Sequence, residues 1–426
     1  MEIPKMNDIK YKITARNRIF VVIAAVFMEL ALGALYAWST FAKILKDLPE
    51  PWTSGQTQWV FSAGTLALAV AVIFAGRLNE KIGPQKLILI SAIVTGSGYI
   101  LGGILPLQWV WTSLTVGLIG GAGIGIAYAI PISVCSKWYP DKKGLVTGLG
   151  MAGFGAGSLI WQYLLTGVFN NTVGISNTFI IYGFCFMVMI GSAYFFIYNP
   201  PEGYTVSGYD PSVIKNKSDT TDEVNFDTKQ ILRMRQFYFL FYALMVGSGA
   251  GLMVIGIVKF YSQDVLTSLG YANAANIALV AAAVILPIFN GLGRILWGWF
   301  SDKIGWKLSI IIMDSVQAIT IFLLVLLVRN PITLYIGVAI IAFNYGANFT
   351  VFPMATGGVF GRKNLSSNYG WVFFSFGIGA LIGPPLAGMF DDSGIIIVAF
   401  IISGALLAIG VVLTFFIKQP KQEAIR

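Results

Sequence analysis

Twelve apolar runs, each about as long as a bilayer core is thick, constrain this chain more than any other feature of its sequence. They cover 19–41, 58–76, 87–106, 109–136, 144–168, 177–199, 237–262, 275–300, 308–328, 332–354, 367–390 and 394–417. A helix of about 20 residues crosses a hydrocarbon core of about 30 Å. In lipid a segment has to satisfy its own backbone hydrogen bonds, so each run is expected to be a helix. Only 11% of residues are charged and 56% are hydrophobic, against about 25% charged in soluble domains. Cys135 and Cys185 both lie inside apolar runs and read as packing residues. There is no histidine, which removes the usual imidazole proton relay and most metal sites. The first run is too long for a signal peptide and carries no small-residue cleavage site.

The basic residues orient the runs. With the N-terminus inside, 23 of the 28 Lys and Arg fall on inner segments and four (Lys43, Lys46, Lys259, Arg329) on outer ones; Arg294 lies within a span. Positive charge concentrates on the cytoplasmic side, so both termini are expected there. That distribution also explains the net charge of +9 without nucleic acid. Trp59, Trp109 and Trp111 fall where an outer aromatic belt is expected, and Trp138, Trp299 and Trp306 where an inner one is. The long polar stretch after Asn199 separates spans six and seven and reads as a linker. The expected organisation is a cytoplasmic tail 1–18, a six-helix half 19–199, a cytoplasmic linker 200–235, a second half 236–417 and a tail 418–426.

The halves repeat. Gly76-Arg77-Leu78-Asn79-Glu80-Lys81-Ile82-Gly83 follows span two, and Gly298-Trp299-Phe300-Ser301-Asp302-Lys303-Ile304-Gly305 follows span eight, 222 residues later. Asp141-Lys142-Lys143-Gly144-Leu145 and Gly361-Arg362-Lys363-Asn364-Leu365 form a second pair at an offset of 220. Repeats in the same sense imply halves related by an axis along the membrane normal. In the first motif the glycines allow a close approach and a tight turn, the acid can cap a neighbouring helix, and the Lys faces lipid phosphate. Gly76, Glu80, Gly83, Gly298, Asp302 and Gly305 are therefore candidate conformational residues. Glycines of span five (Gly148, Gly150, Gly153, Gly155, Gly157) and span eleven (Gly377, Gly379, Gly383) suit tight helix contacts, and Pro384-Pro385 suits a bend.

This loop motif resembles that of the major facilitator superfamily between its helices two and three. Other residues resemble one branch, the oxalate:formate antiporter family, which also holds bacterial monocarboxylate transporters. They are Tyr36-Ala37-Trp38, Gly123-Ile124-Gly125-Ile126-Ala127-Tyr128, Lys137-Trp138-Tyr139-Pro140-Asp141-Lys142-Lys143-Gly144, Asn290-Gly291-Leu292-Gly293-Arg294 and Asn368-Tyr369. The resemblance covers nearly the whole chain. It implies an all-α membrane protein of twelve helices in two six-helix halves, a multi-pass protein of the inner (plasma) membrane.

Three ionisable residues lie within spans: Glu29, Arg294 and Asp314. Each costs about 2.5–3.5 kcal/mol to insert charged, and such residues usually mark function. Arg294 stands about two turns from the inner end of span eight, where a snorkelling side chain is the alternative. Asn290 shares its face at i−4, and a guanidinium beside an amide suits a carboxylate. The resemblance implies that Arg294 binds the substrate carboxylate. Asp314 could pair with Arg294 or with a loop base, and with Glu29 it is a candidate proton carrier. Glu29, with Gly33 and Tyr36 on its face, is either a hydrogen-bonded structural acid or a proton carrier. Tyr36, Tyr128 and Tyr345 either pack the core or line a cavity with one hydroxyl each; the resemblance implies lining. Asn344 and Asn348, at i,i+4 in span ten, are weaker candidates. In relatives resembling the oxalate exchanger, span eleven carries a lysine after the Asn-Tyr pair and before a glycine; here that place falls on Phe376.

The expected function is secondary transport of small monocarboxylates (lactate, pyruvate or formate) by alternating access, with a proton as co-substrate, lipid as surroundings and a monomer as the working unit. Oxalate:formate-type exchange is the alternative. No Walker motif is present, so ATP is not expected to drive it. A receptor would need a soluble ligand-reading domain, and a membrane enzyme clustered His, Asp or Cys; the sequence offers neither. No enzyme activity, cofactor or metal is expected.

Overall fold

A computed structural model describes residues 6–139, 143–165, 170–201, 204, 206, 225–361 and 364–418. The Asp141-Lys142 and Arg362-Lys363 pairs, the Glu80 side chain, most of the expected linker and the tail beyond Lys418 lie outside the described residues.

The long elements are helices. α1 runs Met6–Leu32 and continues through a tight turn at Gly33–Ala37 into Trp38–Lys46. α2 is Ser54–Ile82 and α3 Pro84–Ile104. α4 comprises Trp109–Thr112, a wide π turn Ser113–Gly120 and Gly121–Trp138. α5 is Lys143–Leu164, and α6 Asn170–Ser192, kinked at Gly174. α7 is Arg235–Ser268; α8 comprises Ala274–Val280, a wide turn Ala281–Ile285 and Leu286–Ile304. α9 is Trp306–Leu327, α10 Pro331–Phe360, α11 Leu365–Asp392 and α12 Ile397–Phe415. Eleven of these are long and apolar enough to cross a membrane by length and composition. α5, at the place of the fifth expected span, completes the twelve. α1 reaches back to Met6, so the charged lead expected as a tail is helical there.

Local chemistry sets the ends. Thr53 and Gln56 form a reciprocal cap on α2, with bonds of 3.1 and 3.0 Å. Pro opens α3 and α10 at the first turn, where its missing N–H costs nothing. Gly83 and Gly305 end α2 and α8 at φ +80° and +82°, a conformation that residues with a Cβ rarely adopt. The two copies of the loop motif therefore make the same turn.

Packing repeats as well. The tightest pairs inside the first half are α1–α5, α2–α4 and α3–α6; inside the second they are α7–α11, α8–α10 and α9–α12. Across the halves the main pairs are α2–α11 and α5–α8, which the same exchange of halves converts into one another. Gly33 meets Gly157 between α1 and α5, and Gly249 meets Gly379 between α7 and α11; without side chains the backbones touch. Large apolar side chains such as Phe74, Ile93, Phe184, Val188, Ile319 and Ile332 cover the outside, as a lipid-facing surface requires. Trp59, Trp109, Trp111 and Trp299 are exposed as belt residues should be. Trp138 is not: it is 1% exposed and donates its indole N–H to the Tyr198 carbonyl at 2.7 Å. It anchors the end of α4 to the chain after α6 instead of facing lipid.

Candidate functional site

Arg294 is completely buried at the face where α8 meets α5, so it does not snorkel. Its Nε donates to Asn290 Oδ1 at 3.1 Å, as the i−4 spacing predicts, and its Nη1 donates to the Met151 carbonyl of α5 at 3.1 Å. Among the described residues its Nη2 has no hydrogen-bond partner, and neither has Asn290 Nδ2. Among the described residues no carboxylate lies within 4.0 Å of the guanidinium. Two glycines make room for this arrangement. A Cβ on Gly155 of α5 would stand 2.8 Å from Asn290 Oδ1, and one on Gly346 of α10 would stand 3.3 Å from the Arg294 backbone N.

An aromatic box surrounds the cation. The guanidinium carbon lies 4.2 Å from the ring centre of Phe349 and 5.4 Å from that of Phe154, a cation–π arrangement that desolvation strengthens. Tyr36 and Tyr345 join across the halves by a hydroxyl–hydroxyl bond of 2.6 Å, and the Tyr36 hydroxyl also approaches Arg294. Tyr36 and Tyr128 set their edges against Phe154 at 4.9 and 5.3 Å. Tyr128 also stacks on Phe373 at 5.7 Å, and its hydroxyl has no partner. Phe376 stacks on Phe373 at 5.1 Å and meets Phe349 at 5.6 Å. Tyr36, Tyr128, Tyr345 and Phe376 thus converge on the Arg294 neighbourhood. Phe154, Phe349 and Phe373 complete it and escape a reading of single residues. The available signal is spacing: Phe349 follows Tyr345, and Phe373 follows Tyr369, by one helical turn.

The two buried acids separate. Glu29 of α1 lies over the same stretch of α5, its Cβ 3.0 Å from where a Cβ on Gly153 would be, and it is electrostatically within reach of Arg294. Neither of its oxygens has a hydrogen-bond partner. Asp314 makes no ion pair with Arg294 or with any loop base among the described residues, so the expected pairing fails. It sits inside the second half, against α7. Asn344 accepts the Trp297 indole N–H at 3.2 Å, and so braces α10 against α8.

The family model of the Major Facilitator Superfamily matches residues 18–327 and 268–426. The chain belongs to the major facilitator superfamily. It is 31% identical to an uncharacterized MFS-type transporter, YhjX, of Escherichia coli K12, over 86% of each chain. It is 26% identical to the oxalate:formate antiporter of Oxalobacter formigenes, over 85% of this chain and 84% of the relative. It is 22% identical to monocarboxylate transporter 12 of Mus musculus, over 86% and 78%. The protein is a multi-pass membrane transporter and not an enzyme.

At the end carrying the α1–α2 and α11–α12 connections, the halves are clasped. Asp392 accepts the backbone N–H of Ser54 at 2.9 Å and of Gly55 at 2.8 Å; Asp391 accepts the Ser54 hydroxyl at 2.7 Å. Lys46 lies 3.5 Å from Asp391. Deeper, Gln58 donates to the Gly256 carbonyl at 3.2 Å, Ser62 to that of Ala380 at 2.6 Å, and Gln162 to that of Ala282 at 2.9 Å. Of the loop-motif residues, Gly83 and Gly305 make the turns already described; Gly76 and Gly298 lie about two turns before them. Asp302 caps no helix among the described residues, so the capping expected of the acid is not seen there; Lys303 lies over the Trp299 ring at 3.6 Å.

Proposed function

We propose that the protein carries small monocarboxylates of the lactate, pyruvate and formate class by alternating access, with the α2–α3 side and both termini in the cytoplasm. One observation carries the reading: Arg294 Nη2, Asn290 Nδ2 and the Tyr128 hydroxyl are buried and lack partners, next to an aromatic box. Unmade buried hydrogen bonds cost about 1–3 kcal/mol each. A carboxylate completes all three, and its charge meets the guanidinium. The Phe349, Phe373 and Phe376 rings offer apolar surface to a short alkyl group.

The charge count favours one carboxylate over two. Arg294 is the cation of the box, and Phe376 occupies the place of the lysine seen in relatives that resemble the oxalate exchanger. A second buried carboxylate would stay unneutralised, which is costly. A proton is the co-substrate on this reading, carried by Glu29: its carboxyl has no donor and lies beside the site. Alternating access would follow from opening the clasp while the opposite end closes. Purified protein in liposomes tests the reading with labelled lactate, pyruvate, formate and oxalate. Uptake of a monocarboxylate that oxalate does not inhibit is the expected result. Oxalate competing equally well would replace the reading with anion exchange of the oxalate:formate type.

A further inference from the structure

Asp314 is fully buried nine residues into α9, and neither carboxyl oxygen has a hydrogen-bond partner. Around it stand other polar groups in the same condition. Asn348 of α10 is fully buried with both amide atoms unpartnered, and Gln317, one turn along α9, has a free Oε1. Gly247 of α7 fixes how closely they gather. A Cβ there would stand 3.3 Å from Asp314 Oδ1 and 3.2 Å from Asn348 Oδ1, and the Gly247 carbonyl accepts Gln317 Nε2 at 2.9 Å. Asp314 and Asn348 therefore aim their oxygens at one point, and the glycine keeps that point open.

This is an excess of acceptors. The carboxylate oxygens, Asn348 Oδ1 and Gln317 Oε1 are four buried oxygens without a hydrogen-bond partner, and the one unpartnered donor among them is Asn348 Nδ2. An isolated buried charge costs too much to persist, and some cation has to neutralise it. Among the described residues no side chain does so. The helices packed on α9 are α12, α10, α8 and α7. Of their ionisable groups in the mid-section, Tyr242 donates to the Leu406 carbonyl, Arg294 is held by Asn290 and Met151, and Tyr345 is bonded to Tyr36. Asp302, Lys303 and Lys307 lie at the α8–α9 turn, and among the described residues no base lies within ion-pair distance of Asp314. α12 carries no ionisable residue between Ile397 and Phe415.

We propose that Asp314, Asn348 and Gln317 form a site for one monovalent cation, a proton or a sodium ion, within the second half. A proton would form an O–H bond on Asp314 and donate to Asn348 Oδ1. A sodium ion would take oxygen ligands only, as hard cations do. The site lies apart from the Arg294 box and needs no particular carboxylate, so it stands or falls separately from the transport reading.

The test uses purified full-length protein in detergent, in a Glu29→Gln background that removes the other buried carboxyl. Melting temperature and tryptophan fluorescence are followed while sodium chloride replaces choline chloride at constant ionic strength, and separately as pH falls. Wild-type Asp314 should give a saturable rise in melting temperature with one of the two cations, since a ligand held by the native state alone stabilises it. Asp314→Asn should lose that rise, and Asn348→Ala should weaken it. A sodium response identifies sodium; a response to acid alone identifies a proton. An unresponsive wild-type Asp314, or a full response in Asp314→Asn, overturns the proposal. If Asp314→Asn does not fold, a full response in Asn348→Ala overturns it equally.

Discussion

Neutralising the clasp should shift the balance between the two access states by a predictable amount. In the Asp391→Asn, Asp392→Asn double variant, both carboxylates become amides of nearly the same size. Three hydrogen bonds are affected, at 2.9, 2.8 and 2.7 Å, and each loses its charge assistance, as does the attraction between Asp392 and the positive start of α2. Bonds to charged groups contribute about 1.5–3 kcal/mol each, and neutral ones about 1. The site is half open to solvent, so the lower end applies, and the amide keeps some of each bond. A net loss of about 2 kcal/mol from the clasped state follows, or about a 30-fold change in its odds. Spin labels on cysteines at Glu50 and Leu269, both exposed at this end on opposite halves, report the separation in a background where Cys135 and Cys185 are alanine. The distance distribution should gain a longer component. An unchanged distribution in a folded, membrane-inserted variant would show that these bonds do not hold this end closed.

Arg294→Lys should raise the half-saturating substrate concentration at least tenfold, because the charge stays while the fork that reaches Asn290, Met151 and substrate is lost; unchanged uptake at normal expression would remove Arg294 from the site. Glu29→Gln should abolish uptake driven by a pH gradient and leave counterflow intact; preserved coupling would assign the proton to Asp314 or to the substrate. Phe376→Lys should improve oxalate competition against a labelled monocarboxylate, and oxalate competing fully in the wild type would refute the charge argument. A cysteine at Ser218 should be shielded from impermeant thiol reagents in intact cells; ready labelling would invert the proposed orientation.

The fold was legible because each signal repeats. Run length identifies helices without tertiary knowledge, and the two glycine turns at Gly83 and Gly305 are visible as one motif twice. Gly157 and Gly379, separated by the same 222 residues, show the repeat reaching into helix packing. The candidate site was legible wherever a residue was anomalous in its span, as Arg294 and Glu29 are. It was not legible where the residue was ordinary. Phe154, Phe349 and Phe373 look like any lipid-facing phenylalanine until three helices turn them toward one guanidinium. Asp391 and Asp392 escaped the sequence reading because their partners, the Ser54 hydroxyl and the backbone N–H groups of Ser54 and Gly55, lie more than 330 positions away. Trp138 was misplaced for the same reason: depth along a helix predicts a belt, but only neighbours decide which way the ring faces. Asp314 stood out as a charge within a span, but neither pairing expected for it, with Arg294 or with a loop base, is made among the described residues, and amides lie beside it instead.

The wide turn at Ala281–Ile285 bears on how this chain could have changed over time. One residue of slack is stored there, and the Ala282 carbonyl in it is taken by Gln162 from the other half. Losing a single codon inside that turn would let α8 tighten to a regular helix, with Arg294 still facing α5 and α10. Losing one between Leu286 and Arg294 would swing the guanidinium about 100° around the axis, away from its box. Length variation in α8 is thus tolerable on one side of Leu286 and fatal on the other. Descendants of a common ancestor should therefore differ by a gap at Ala281–Ile285 more often than anywhere else in that helix, and an alignment forced to be gapless there will misassign every residue that precedes it.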